Sequence, residues 1–74
     1  MKRAPVTSSV LRSIGYDKGS STLEVEFEDG DVYRYFLVPA RVYAGLMAAA
    51  DAGESVGRYF NEHVKAPGYP FEQR

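Results

Sequence analysis

The sequence predicts a two-layer α+β domain: a three-stranded antiparallel β-meander packed on two C-terminal α-helices, in the order β-β-β-α-α. Three observations predict it. Leu23, Val25 and Phe27 alternate with Glu24, Glu26 and Glu28, a period of two that gives a strand one apolar and one polar face. Glu28-Asp29-Gly30-Asp31 then supplies a hairpin turn ahead of a second aromatic-rich run. After Pro39 the period changes: Val42, Tyr43, Leu46, Met47 and Ala50 recur at helical spacing, and Val56, Tyr59, Phe60, His63 and Val64 repeat the pattern. A sheet with one apolar face must bury it, and two short amphipathic helices are what the rest of the chain offers.

Taken in order, residues 1–8 are polar, include Pro5 and are expected to form a flexible N-terminus. Val10–Tyr16 reads as the first strand. Its parity is mixed, because Val10, Ile14 and Tyr16 share a face with Arg12 while Leu11 faces the other way, and a bulge or an edge position resolves that. Asp17-Lys18-Gly19-Ser20-Ser21 turns the chain into the second strand, Thr22–Glu28. The third strand is Asp31–Val38, and its register follows from the turn. A two-residue turn would pair Val25 with Arg34 and mix core with solvent on both faces. A three-residue loop, Glu28-Asp29-Gly30 with Gly30 left-handed, pairs Val25 with Tyr33, Leu23 with Tyr35 and Glu24 with Arg34. The second register gathers the apolar residues and adds a cross-strand ion pair, so Tyr33, Tyr35 and Leu37 are expected on the core side. Pro39 ends this strand and opens a helix over about Ala40–Ala52, which Gly53 stops. Ser55 caps a second helix over Val56–Lys65, with Gly57 as a close-packing point. Pro67 and Pro70 end it, and residues 66–74 form an extended tail that Tyr69 and Phe71 staple to the core.

Composition bounds the function. A chain of 74 residues makes one domain, and a domain this small buries only about 60% of the surface its unfolded form exposes. With no cysteine and one histidine, neither a disulfide, a thiolate metal site nor a cysteine nucleophile is available. The formal net charge of −1 gives no global attraction to nucleic acid or to anionic membranes. The longest uncharged apolar run, Val42 to Ala50, is far below the roughly 20 residues that span a bilayer. A cytoplasmic protein without membrane partner, metal or small-molecule cofactor is expected.

Two surfaces are candidates for binding. Tyr33-Arg34-Tyr35 places a cation between two rings on one strand, a pattern that can stack bases and hold phosphates. Arg34 would hold phosphate, Tyr16 would offer a stacking ring, and Arg12, Arg58 and Lys65 would extend the surface. Against this, the register sets Tyr33 and Tyr35 under the helices, and a base cannot stack where a helix packs. The other candidate is Phe36 with Val38, expected to face outward and to contact a protein partner or a second copy. The acidic run Glu24 to Asp31 reads as a solvated strand face and turn, and it lacks the spacing of a calcium loop. His63 reads as a packed or capping side chain, since a catalytic base needs a positioned partner. No catalytic constellation is predicted.

Ser8-Ser9, Gly15-Tyr16-Asp17, Leu23-x-Val25-x-Phe27, Gly30, Val32-Tyr33-Arg34-Tyr35, Val38-Pro39, Tyr43 and Ser55-x-Gly57-x-Tyr59-Phe60-Asn61 occur in that order. This series resembles the KTSC domain, a family named for its occurrence at the C-terminus of some lysyl-tRNA synthetases and found also as small stand-alone bacterial and phage proteins. The resemblance runs from about Ser8 to Tyr69 and is carried by Tyr33-x-Tyr35 and by the segment Ser55 to Asn61. The segment Asp51–Glu54 and the Ala66-Pro67-Gly68 tail depart from the pattern. The family has no established activity. Its fusion to a synthetase implies a non-catalytic module that binds RNA or tRNA, while Tyr33, Tyr35, Pro39, Ser55, Gly57, Tyr59, Phe60 and Asn61 would be motif residues with structural roles.

Overall fold

The computed structural model describes all residues, Met1–Arg74. It contains five strands and two helices: β1 (Arg3–Pro5), β2 (Leu11–Asp17), β3 (Thr22–Phe27), β4 (Val32–Tyr35), α1 (Ala40–Asp51), α2 (Val56–Phe60, continued as a π-helical turn over Asn61–Lys65) and β5 (Phe71–Gln73). The strands form one antiparallel sheet in chain order, β1-β2-β3-β4-β5. The expected α+β class and two layers hold, but the meander has five strands. The two extra strands are three-residue edges at the termini, so the N-terminal segment expected to be loose contributes β1 and the tail contributes β5.

The central register is the one the three-residue loop dictates. Leu23 pairs with Tyr35, Glu24 with Arg34 and Val25 with Tyr33. The Phe27 N–H donates to the Asp31 carbonyl and Gly30 closes the loop at φ +94°, where a side chain would be strained. In β2 the register shifts between Leu11 and Ser13, the bulge that the mixed parity demanded. It sends Leu11 and Ile14 into the core and leaves Val10 44% exposed, the reverse of the face assignment expected for Val10 and Leu11.

One apolar core lies between the sheet and the helices. Leu11, Ile14, Leu23, Val25 and Tyr35 meet Val42, Leu46 and Ala49 of α1 and Val56, Phe60 and Val64 of α2 and its π turn. The Ser55 hydroxyl accepts the Arg58 N–H and caps α2, and Gly53 stops α1 at φ +72°. Gly57 is buried against Val10, whose Cγ2 would lie 3.1 Å from an added Cβ. Past β4 the alternation fails. Leu37 takes φ +62° and is 71% exposed, while Val38 is fully buried. The left-handed residue reverses the parity of the chain, so Leu37 leaves the core side and Val38, expected outside, enters it.

Candidate functional site

The face of the sheet away from the helices is not the wet acidic face that period-two charge suggested. Glu24 is only 5% exposed and lies between two guanidinium groups. Arg34 Nε donates to Glu24 Oε1 and Arg3 Nη1 donates to Glu24 Oε2, each at 2.8 Å. Arg3 reaches Glu24 by crossing over Gly15, which has no side chain to block it. Glu26 accepts a hydrogen bond from Ser13 and lies 3.7 Å from Arg12 Nη1, and Arg12 Nη2 donates to the Glu28 carbonyl. Burial pushes the Glu24 carboxyl pKa up, but the hydrogen bonds and charges of Arg34 and Arg3 outweigh it and hold the group below its ordinary range.

The residues predicted for a nucleic-acid surface lie in different places. Arg34 and Arg12 are spent on glutamates of the outer face. Tyr16 lies on the opposite face, stacked on Tyr43 of α1 with ring centroids 5.4 Å apart, and its hydroxyl donates to the Val38 carbonyl. Arg58 pairs with Glu62 on α2, and Lys65 sits over the Phe27 ring, 6.0 Å from its centroid. The four cations and the ring therefore do not form one patch. The predicted protein-contact pair also separates, since Val38 is a core residue and Phe36 is half-buried, its N–H donating to the Pro70 carbonyl.

A different site emerges where β5 lies beside β4. Phe27, Tyr33, Tyr35, Phe60 and Phe71 form one ring cluster with centroid separations of 5.4 to 6.4 Å. Phe60 and Tyr35 anchor it in the core, whereas Phe71 is 61% exposed and Tyr33 and Phe27 are half-buried. The exposed rings line an open groove of about 310 Å³, edged by Asp29 and Asp31 of the hairpin and by Lys65. Both tyrosines of the Tyr33-x-Tyr35 motif thus share the expected side of the sheet but differ in depth. Burial and the neighbouring Tyr33 raise the Tyr35 pKa, so its hydroxyl stays protonated well into the alkaline range. Sequence reasoning identified Tyr33, Tyr35 and Lys65, and it missed the groove because Phe71 joins them only through the pairing of Tyr35 with Phe71.

His63 is exposed and stacks on Tyr59, 4.0 Å between centroids, with Nδ1 3.2 Å from the Tyr59 carbonyl oxygen. It meets neither the groove nor the ion-pair lattice. No helix is long and apolar enough to cross a membrane.

Comparison with known proteins agrees with this arrangement. The KTSC domain model matches residues 7–69. An uncharacterised protein of Stutzerimonas stutzeri is 45% identical over 71 residues, covering 96% of this chain and 94% of the relative. A lysine–tRNA ligase of Nostoc punctiforme is 38% identical over 65 residues, which is 88% of this chain and only 11% of the ligase. The crystal structure of a KTSC domain protein from Yersinia pestis superposes with a TM-score of 0.85 at 36% identity, covering 99% of this chain and 96% of that one. The family match spans most of the sequence and the fold superposes over nearly its whole length, and the chain belongs to the KTSC domain family.

Proposed function

We propose that this protein is a non-catalytic recognition module that binds a segment of another protein in the aromatic groove. The observation that carries the reading is the groove itself: Phe71, Tyr33 and Phe27 present ring surface to solvent beside two carboxylates, Asp29 and Asp31. Exposed aromatic surface with a polar rim is the composition of a protein-binding patch. The rim carries two carboxylates against one ammonium, which disfavours a polyanion there. The arginines that a phosphate backbone would need are neutralised on the other side of the sheet.

The test is selection of random displayed peptides against the protein, followed by amide-shift mapping of an enriched peptide on labelled protein. Shifts at Phe27, Tyr33 and Phe71, lost in Phe71→Ala, are expected. Absence of any enriched peptide, or shifts confined to the Arg12 and Arg34 face, would overturn the reading.

One observation favours a second reading. The chain is similar to a segment of lysine–tRNA ligases, where it matches 11% of the Nostoc punctiforme protein. In that reading a base stacks on Tyr33 or Phe71 and its phosphate meets Lys65. Titration with mixed tRNA and short single strands separates the two. RNA binding predicts shifts at Tyr33 and Lys65 that fade between low and physiological salt, and protein binding predicts none.

A further inference from the structure

A row of charges crosses the outer face of the sheet and stops at an open edge. Arg3, Gly15, Glu24, Arg34 and Glu72 are successive cross-strand partners from β1 to β5. Cross-strand partners point to the same face, so the row reads positive, empty, negative, positive, negative. Arg3 fills the empty place by lying across Gly15 to Glu24. Each interior member therefore has a neighbour of opposite sign. Glu72 ends the row: its neighbour across the sheet is Arg34 on one side only, beyond it there is no strand, its side chain is 54% exposed, and the guanidinium of Arg74, one residue past β5, lies 3.9 Å away along the chain.

The backbone of β5 is open at the same place. The Phe36 N–H donates to the Pro70 carbonyl and the Arg74 N–H donates to the Val32 carbonyl. Alternate residues of an antiparallel strand turn to opposite edges, so Pro70, Glu72 and Arg74 turn their peptide groups toward β4. The N–H and C=O groups of Phe71 and Gln73 turn outward and meet no strand. The other edge of the sheet is guarded. On β1, Val6 donates to Arg12, which leaves Arg3 and Pro5 turned outward, and Pro5 has no N–H to offer.

We infer that β5 is an acceptor edge for an extended segment of a partner protein, carrying a basic residue opposite Glu72 flanked by apolar residues opposite Phe71 and Gln73. The added strand pairs with the free groups of Phe71 and Gln73, as in β-strand addition to an exposed sheet edge. Its central side chain falls on the outer face, where a cation continues the alternation beyond Glu72. Its flanking side chains fall on the helix side, next to Phe71 and the aromatic groove. The inference rests on the groove reading for those flanking contacts, and the edge and the charge row add backbone and electrostatic selection to it. A second copy of this chain fits less well, because β5 paired with β5 about Glu72 sets two glutamates opposite each other.

The probes are two blocked hexapeptides, one alternating valine with arginine and one alternating valine with glutamate, titrated at low salt into the labelled full chain. The arginine peptide is expected to slow exchange of the Phe71 and Gln73 amide protons and to bind about fivefold tighter than the glutamate peptide, the size of a favourable cross-strand pair set against a repulsive one. Glu72→Lys, a change at an exposed position, is expected to reverse the preference. Shifts at Phe27 and Tyr33 without protection of Phe71 and Gln73 would end the strand-addition inference and leave the groove reading standing. Equal binding of both peptides, or a preference that Glu72→Lys does not reverse, would remove the charge rule and with it the inference. A doubled mass without peptide, with the two amides already protected, would assign the edge to a second copy and overturn it. So would protection conferred by tRNA fragments and not by either peptide.

Discussion

Glu24 shows how far one residue departs from its pattern. Period-two alternation marks it as a solvent position, yet it is 5% exposed and held by two charge-assisted hydrogen bonds of 2.8 Å. Breaking a buried ion pair from one side costs about 3–5 kcal/mol when both partners are buried. Here Arg3 and Arg34 keep 30% and 29% of their side-chain surface, and water screens them once released. Glu24→Gln should therefore cost about 2 kcal/mol at neutral pH, measured by urea unfolding. The pH dependence follows from the depressed carboxyl pKa. A group whose folded pKa lies below its unfolded value stabilises above the unfolded value, about 4.3 for glutamate, and loses that contribution as pH falls through the folded value. The difference between parent and Glu24→Gln should accordingly be constant near neutrality and shrink on acidification below the glutamate range. A difference independent of pH down to that range and beyond would show that the carboxylate charge is not what stabilises the site. Half of this site was legible. The Arg34 pairing followed from the hairpin loop, which fixes register locally, whereas Arg3 comes from a terminal strand that no local pattern announces.

At the scale of elements, legibility followed length and turn chemistry. The Thr22–Phe27 strand, the Gly30 loop, the Pro39 opening of α1 and the Ser55 cap of α2 are all local signals, and all appear where the residues put them. β1 and β5 are three residues each, too short to display a period, and they exist because β2 and β4 present unpaired edges to them. Val56–Lys65 was legible as one helix, but not its π turn, in which the Ala66 N–H reaches back to the Asn61 carbonyl and Val64 is fully buried. The docking of β1 depends on Gly15. An added Cβ there would lie 2.7 Å from the Lys2 carbonyl oxygen and 3.0 Å from Arg3 Cγ, and the first of these is backbone that must move. Gly15→Ala should lift β1 from the sheet at a cost of about 1–3 kcal/mol. Hydrogen exchange checks it at single bonds. The Val6 amide, which donates to Arg12, should exchange faster, while the Glu28 amide, which donates to Val10 across β2 and β3, should keep its protection. Equal loosening of both would mean that β1 and the central sheet unfold as one unit.

In the whole molecule one ring cluster runs from the core to the surface that the proposed function uses. No disulfide supports a core of twelve buried apolar residues, and a chain of 74 residues has about 4–11 kcal/mol of stability to lose. The cluster runs from Phe60, fully buried on the sheet-facing side of α2 with edge-to-face contacts to Phe27 and Tyr35, out to Phe71, 61% exposed at the sheet edge. The sequence displays all five aromatics, and helical spacing marks Phe60 as core. Nothing local tells that Phe71 lies next to Tyr35, because that contact closes a chain segment of more than thirty residues. The two ends of the cluster should respond to truncation in opposite ways. Phe60→Ala removes a ring with no access to water and should cost about 3–5 kcal/mol, a large share of the available stability, so its melting transition should fall steeply. Phe71→Ala removes a ring that is already largely hydrated and should cost about 1 kcal/mol or less, while abolishing the amide shifts that an enriched peptide produces at Phe27 and Tyr33. Thermal and urea unfolding of both variants, run beside the peptide titration, read stability and binding separately. If Phe71→Ala instead unfolds the chain as Phe60→Ala does, the outer ring belongs to the core and its exposure does not mark a binding surface. If it leaves both stability and peptide binding intact, the groove is not where the partner docks.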